Sequence, residues 1–334
     1  MKVSVLIPTY NRLELVKQSV ASVLFQTYSD FEVIVLDDGS TDGTREWGAK
    51  LADPRVQFLE FDHRGADHLA EITNDLFRHA RGEYVALLDS DDYYASPNVL
   101  GDLVNEIERT GAGIVYGALQ LVDEGGETVP YDGPFSLAYM RSAAGLYSGD
   151  GYFSALLRAN PIPANALIIR SETLTKIGGF QTFPGFPAQD YPTWLAVSLS
   201  HRIVPMYSVV TCWRRHPGQV TSGRAVDLAL GALEVARHYF NEGKAKGLVD
   251  DVDWREIERK RRTQIAKACW AVTSSRIRQK RWEEARHHIW QQWVNGNLAQ
   301  KLEALVAAAC VRMKVDAVTP ILNLASRLSL TITK

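Results

Sequence analysis

Cysteine is scarce in this chain of 334 residues: only Cys212, Cys269 and Cys310 occur. They are too few and too far apart for a disulfide framework or a thiolate metal site. That scarcity fits a reducing compartment, so a cytoplasmic protein is expected. An excess of one charge is missing as well. The 37 Lys and Arg face 39 Asp and Glu, a formal net charge of −2. This balance suits a soluble globular protein, and no nucleic-acid partner is expected. No uncharged apolar run approaches the roughly 18 residues needed to span a bilayer. Met1 opens almost directly into an apolar strand, so no secretory leader is expected. Internal repeats are lacking too. What remains is a globular chain with 46% hydrophobic residues. Its length suits one large domain plus a smaller one.

The most informative stretch is Asp89-Ser90-Asp91-Asp92, directly after the apolar run Tyr84-Val85-Ala86-Leu87-Leu88. Such a run reads as a buried parallel strand. It delivers three carboxylates to the carboxyl edge of a sheet, where open α/β sheets bind ligands. Carboxylates that close repel one another unless a cation lies between them. A hard, oxygen-loving divalent ion suits that place and neutralises phosphate oxygens. Asp92 is also a candidate cap for a helix from Asn98 to Ile107.

Other segments supply the sheet. Val3 to Ile7 is a first strand, broken by Pro8, and a helical pattern follows with Leu15, Val16, Val20, Val23 and Leu24. Phe31 to Leu36 is a second strand running into Asp37-Asp38-Gly39-Ser40-Thr41-Asp42, with a helix starting near Thr41. Val56 to Phe61 is a third, and a helix from Leu69 to Ala80 leads to the fourth at Tyr84. Strands alternating with helices at this spacing indicate βαβ units and a mostly parallel sheet. Right-handed crossovers then gather Thr9, Tyr10, Asp37, Asp38, Asp89 and Asp91 on one edge.

Pro8-Thr9-Tyr10-Asn11-Arg12, Asp37-Asp38-Gly39-Ser40-Thr41-Asp42, Gly82-Glu83-Tyr84, Asp89-Ser90-Asp91-Asp92 and Gln189-Asp190-Tyr191 occur in this order. Together they resemble an inverting family 2 glycosyltransferase with the GT-A fold, over roughly residues 1 to 224. The resemblance implies a Rossmann-like catalytic domain that takes a nucleotide-sugar donor, UDP-linked by expectation. It implies that the first βα turn and the Asp-Asp-Gly-Ser loop hold the base. It implies a divalent cation, Mn2+ or Mg2+, on the Asp-x-Asp, and a later Asp as catalytic base.

The residue chemistry suits each implied role. Tyr10 offers an aromatic face to a pyrimidine, a stack worth about 1–3 kcal/mol per base. Pro8, Thr9 and Arg12 accompany it in the turn. Asp37 or Asp38 can accept a base N–H, and the sequence does not choose between them. Asp89 and Ser90 belong near the ribose or metal, and Asp91 is the direct metal ligand. Asp190 is the general base for an acceptor hydroxyl; Gln189 stands where Glu usually precedes it. It also suits the start of a helix from Pro192 to Ser200. A single carboxylate opposite a departing nucleoside diphosphate implies in-line displacement with inversion.

Trp213-Arg214-Arg215-His216-Pro217 follows a β-like run from Ile203 to Cys212. It resembles the Arg-x-His element of such domains. Arg214 is the candidate diphosphate clamp and His216 a further metal ligand. Thr221 and Ser222 are candidate phosphate contacts. Thr73 stands where Arg commonly precedes Asn74, and Arg64 is the candidate substitute. A sugar-nucleotide pyrophosphorylase would need a Gly-rich basic loop after the first strand, where Pro8 to Arg12 stand instead. A non-catalytic nucleotide-sugar or carbohydrate-binding protein on the same scaffold is the alternative.

Beyond residue 224 the pattern is all helical, over 226–241, 252–276, 281–294 and 298–330, with breaks at Asn241-Glu242-Gly243 and Asn295-Gly296-Asn297. Trp282, Ala285, Ile289 and Trp293 form one stripe. Residues 254–286 hold eleven Lys/Arg and four Asp/Glu, an excess of seven positive charges, so the rest carries nine net negative ones. Region 225–334 is read as an oligomerisation, acceptor-docking or membrane-docking element; its basic stretch suits either a solvated helical face, the more frequent case, or a peripheral position at the inner face of a membrane. The expected acceptor is a glycan, a lipid-linked saccharide or a cell-envelope polymer.

Overall fold

The computed structural model describes residues 1–144, 152–216, 219, 223–249, 251–316 and 318. These residues form two compact units, one of residues 1–223 with 235–252 and the other of 224–234 with 253 onward. Helix Ala225–Ala245 contributes its first part to one unit and its later part to the other.

The first unit is built on a mixed sheet of eight strands: β1 (Val3–Thr9), β2 (Phe31–Asp37), β3 (Val56–Glu60), β4 (Tyr84–Leu87), β5 (Tyr93–Tyr94), β6 (Ile114–Val122), β7 (Leu167–Arg170) and β8 (Ile203–Arg214). Their order across the sheet is β3-β2-β1-β4-β7-β6-β8-β5. The β1–β2, β1–β4, β2–β3 and β6–β8 pairs are parallel, whereas β7 runs antiparallel to both β4 and β6, and β5 to β8. Val3, Val5, Ile7, Val33, Val35, Ala86 and Leu88 are fully buried. That is why these strands read as continuous apolar runs rather than alternating ones.

Pro8 does not break the first strand. It pairs with Leu36, and Thr9 with Asp37, so β1 carries its side chains two residues further than expected. Gly82 lies at the other end of the sheet. A Cβ there would stand 2.5 Å from the Ser4 nitrogen, and the Gly82 N–H donates to Ser4 Oγ at 2.8 Å. Ser4 Oγ in turn donates to buried Glu32 at 2.6 Å. Gly82-Glu83-Tyr84 is therefore a packing element, remote from the ligand edge.

The helices of this unit are α1 (Leu13–Leu24), α2 (Thr44–Gly48), α3 (Leu69–His79), α4 (Val99–Thr110), α5 (Leu137–Ser142), α6 (Tyr152–Arg158), α7 (Ser171–Lys176) and α8 (Asp190–Ser198). In the second unit, helices Trp254–Arg278, Trp282–His287, Ile289–Asn295 and Leu298–Met313 pack around Ile277, Ala285, Ala307 and Cys310. Two expected boundaries differ. Helix Ala225–Ala245 runs through Asn241-Glu242-Gly243, because Gly243 is a close-approach site whose Cβ would lie 2.3 Å from the Phe153 ring. The expected helix 281–294 is instead divided at His288. Asn295-Gly296-Asn297 does separate helices, and Asn297 forms a capping box with Gln300. Of the expected helix 298–330, the part beyond Met313 lies mostly outside the described residues.

Candidate active site

Strand order reverses between β1 and β4, since β2 and β3 lie on one side of β1 and β4 on the other. The carboxyl ends of strands flanking such a reversal open a crevice. Here they carry Pro8 to Arg12 from β1 and Asp89 to Asp92 from β4. The end of β2 brings Asp37 and Asp38 beside them.

The β1 and β2 exits are tied together. Asn11, with φ of 49°, donates its N–H to Ser40 Oγ at 2.7 Å and accepts the Thr41 N–H at 2.7 Å. Asp42 accepts the Leu13 N–H at 2.9 Å, which fixes the start of α1. Within this frame the two neighbouring acids differ. Asp38 accepts N–H groups from Arg64 at 3.0 Å and Gly65 at 2.9 Å, and His63 Nδ1 stands 3.0 Å away. It organises the loop after β3. Asp37 accepts from Ser40 N–H and Arg45 Nε, both at 3.0 Å, through Oδ2 alone. Its buried Oδ1 has no partner, and neither has the Oγ1 of Thr9 on the adjacent strand. Two unsatisfied buried polar atoms on paired residues mark a place for a polar ligand.

Tyr10 stacks on His63 with ring centroids 4.0 Å apart and planes 19° from parallel. One face of the expected stacking platform is thus supported from within. Arg64 pairs with Asp75 at 2.6 Å and keeps buried Nε and Nη2 atoms without hydrogen bonds.

Asp89, Asp91 and Asp92 converge as expected, with one carboxylate oxygen from each lying within 4.8 Å of the others. Ser90 is buried in the turn, which the Asp92 N–H closes onto Asp89 O at 3.0 Å. Arg12 Nη1 and His216 Nε2 both meet Asp91 Oδ2, at 2.9 and 2.8 Å. Part of Asp89 reaches solvent, yet its carboxyl is densely surrounded. That packing, then the Asp91 charge, pushes it up to about 7; Arg12 opposes the rise and Asp190 adds to it. Burial and its two acidic neighbours also hold Asp92 well above the usual carboxylate range. The donor set is all hard oxygen, crowded and short of positive charge. It fits a divalent cation, with Asp89 and Asp91 Oδ1 as the oxygens not already spent on protein partners.

Asp190 opens α8. Asn160 Nδ2 donates to its Oδ2 at 3.1 Å, while Asn160 Oδ1 accepts the Ile162 N–H at 3.1 Å. The backbone bond fixes which end of the Asn160 amide faces the acid. Burial raises the Asp190 carboxyl, against the N–H groups of the helix start and Asn160. Its charge is the smallest of the contributions that raise Asp89. The approach to α8 is anchored at Asn74, whose amide exchanges two 2.8 Å hydrogen bonds with the Phe180 backbone.

Three sequence expectations are corrected or redirected. Arg214 is not an open phosphate clamp: it is 4% exposed and donates to Asp91 O, Glu124 O and Gln18 Oε1. Asp92 does not cap the following helix. It accepts the Arg214 N–H at 2.8 Å and a short bond from Asn165. His216 lies against Asp91 but outside the three-carboxylate group. Thr221 and Ser222 fall outside the described residues. Sequence reasoning missed His63, Asn160 and Asn165, which no motif flags; only Pro161 and Pro163 hinted at a fixed loop beside Asn160.

Residues 4–170 match the profile of glycosyl transferase family 2. The chain belongs to that family. It is therefore an enzyme, a glycosyltransferase, and the non-catalytic alternative falls away. It is 25% identical over 210 residues to an Escherichia coli protein named UDP-Glc:alpha-D-GlcNAc-diphosphoundecaprenol beta-1,3-glucosyltransferase WfgD, covering 63% of this chain and 73% of that one. Its fold is similar to S. aureus TarS 1–349 in complex with UDP-GlcNAc, with a TM-score of 0.53 at 17% identity over 94% of this chain and 93% of the other. It is also similar to the mannosyltransferase PcManGT from Pyrobaculum calidifontis in complex with GDP-Man and Mn2+, with a TM-score of 0.56 at 21% identity over 93% and 80%. The sheet with its flanking helices is the GT-A fold. The family match ends at Arg170, so the placement of Asp190 and His216 rests on geometry.

Proposed function

We propose that this glycosyltransferase moves a sugar from a UDP-linked donor to a hydroxyl of a lipid-linked saccharide, with inversion, using a divalent cation. The observation that carries the reading is the meeting of Asp89, Asp91 and Asp92 at the β4 exit, on the sheet edge where Asp37 Oδ1 and Thr9 Oγ1 are buried without partners. The name of the WfgD relative, with its UDP-glucose donor and diphosphoundecaprenol-linked acceptor, supports the donor and acceptor classes.

The base of the donor rests on Tyr10, backed by His63, with its N–H directed to Asp37 Oδ1. Asp38 holds the loop rather than the base. Arg64, whose Nε stands 3.7 Å from Asp38 Oδ1, reaches toward the ribose or phosphate through Nη2. Asp89 and Asp91 would hold the cation, and Arg12 with His216 keeps Asp91 oriented. Bound there, Mn2+ or Mg2+ would supply positive charge to the departing diphosphate. Asp190, held by Asn160, takes the proton from the acceptor hydroxyl. The oxygen forms its bond to the anomeric carbon as the bond to UDP breaks, and the electron pair leaves with the diphosphate. Residues 1–224 carry this chemistry, and the helical remainder positions the enzyme relative to its acceptor at a membrane.

The test is donor hydrolysis across a panel of UDP- and GDP-sugars, with Mn2+, Mg2+ or EDTA. Transfer to a lipid-diphosphate-linked N-acetylglucosamine follows, with the product anomer read by NMR. Cation-dependent turnover of a UDP-sugar with inversion is expected. Turnover unaffected by EDTA, or retention at the anomeric carbon, overturns the reading.

A further inference from the structure

Helix Leu298–Met313 presents two unlike sides. Ala304, Ala307 and Cys310 are buried in the helical unit. The opposite side exposes Leu298 (77%), Leu302 (56%), Leu305 (53%) and Met313 (63%). These apolar residues recur at helical spacing on solvent, where polar ones are normal. The preceding helix Ile289–Asn295 adds Trp290, 68% exposed, and Trp293. Lys301 lies over the Trp293 ring at 5.7 Å and bridges the two helices. Contiguous exposed apolar surface of this kind marks an interaction site.

The charges around it select the partner. The one acid of helix Leu298–Met313 is Glu303, which turns inward to accept from Gln292 at 3.3 Å. Lys301, Arg312 and Lys314 border the leucines. Asp316, just beyond, accepts the Val318 N–H at 3.0 Å. Glu284 on the helix before Trp290 is paired with Arg281 at 2.6 Å. Among the described residues, the exposed side of Leu298–Met313 carries no carboxylate. An apolar stripe with tryptophans and a basic margin is the composition that lies in a bilayer interface with anionic headgroups. No described helix is long and apolar enough to cross a membrane.

We infer that Trp290, Trp293, Leu298, Leu302 and Leu305 form a surface that inserts shallowly into an anionic lipid bilayer. The inference names the surface behind the membrane placement proposed above and rests on that reading. It supplies the means by which a soluble catalytic unit meets a lipid-linked acceptor.

The full chain is sedimented with vesicles of equal parts phosphatidylglycerol and phosphatidylcholine, and with phosphatidylcholine alone. Binding to the anionic vesicles is expected, weakened but not abolished by high salt. Leu302→Glu with Leu305→Glu should lower partitioning by about a hundredfold, since each fully buried leucine contributes about tenfold or more. Donor hydrolysis should be unchanged. A parent chain that stays in the supernatant overturns the inference. So does a dimer, seen by analytical ultracentrifugation, that the double variant breaks while vesicle binding is absent; that result would assign the face to a second copy of the chain. Sugar transfer to a soluble acceptor without vesicle binding sinks the surface alone. Vesicle binding without sugar transfer sinks the proposed reaction and leaves the surface standing.

Discussion

The two units handle charge in opposite ways. In the helical unit, Arg261 apart, charged side chains pair locally, as in Lys260 with Glu256 and Arg262 with Glu258, each at 2.8 Å and four residues apart. In the catalytic unit, Asp37, Asp38, Asp91 and Asp92 are buried, and the partners of the last three come from distant parts of the chain. Arg12 reaches Asp91 across the sheet edge, and Asn165 meets Asp92 across 73 residues. Local pairs of the first kind contribute little to stability. Buried like charges are costly, and a fold retains them where a ligand offsets the cost. The contrast separates charge that keeps a surface solvated from charge that does chemistry.

The hardest blow to that contrast would be a harmless change at Asp91. Asp91→Ala should bring sugar transfer below detection and remove the Mn2+ dependence of UDP binding, measured by calorimetry. Metal-stimulated turnover in this variant would mean that the cluster is not the cation site. Next in size is Asp190→Asn, which keeps the shape but cannot accept a proton. Transfer should fall by about 10²–10⁴-fold, with UDP affinity nearly unchanged. The raised Asp190 carboxyl also fixes the sign of the pH profile. The parent should lose kcat as pH falls through a value above the usual ~3.9 of Asp, and the variant should lack that limb. A limb that persists in Asp190→Asn would assign it to another group.

These predictions draw on parts of the molecule that differ in how openly the sequence declares them. The β1, β2 and β4 exits were legible because buried apolar runs end in polar turns, and the turn residues themselves carry the chemistry. The antiparallel insertion of β7 was not legible, since Leu167–Arg170 is a four-residue run that also fits a buried helix. Arg214 looked like a phosphate ligand because an Arg shows its charge and hides its neighbours. Only the fold reveals that Glu124, Gln18 and Asp91 consume its donors. Asn160 acts across 30 residues and leaves no periodic trace. The expected break at Gly243 failed because a glycine can serve close packing, here against Phe153, as well as a turn.

A finer division lies between Asp37 and Asp38. Asp38→Asn should chiefly destabilise the fold, by about 1–3 kcal/mol, because N–H groups of the β3 exit lose a charged acceptor. Asp37→Asn should chiefly raise the donor KM, by roughly 10- to 100-fold if a hydrogen bond from the base to a charged acceptor is weakened. Reversed phenotypes in urea melts and donor titrations would exchange the two roles. Asp89 adds a stability prediction. Its carboxyl is raised to about 7 in the folded state, so the neutral form is favoured there. That stabilisation is complete below the ordinary Asp pKa and is lost as pH rises through about 7. Without divalent ions the melting temperature should therefore decline from mildly acidic to mildly alkaline pH. Added Mn2+ should restore more at the alkaline end. Equal protection at both ends would separate cation binding from the acidic cluster.

The smallest effect belongs to the helical unit. Lys260→Ala removes an exposed partner of Glu256 one helical turn away. Such pairs contribute about 0.3–0.5 kcal/mol, so the midpoint of urea unfolding should hardly move and sugar transfer should be unchanged. A double-mutant cycle with Glu256→Ala gives the coupling directly. A coupling well above 1 kcal/mol would show that charge in this unit is also structural, and the contrast between the two units would then be one of degree. A coupling near zero, together with a large loss at Asp91, would place the chemistry of this chain at the strand ends and leave its helical unit the work of meeting the acceptor.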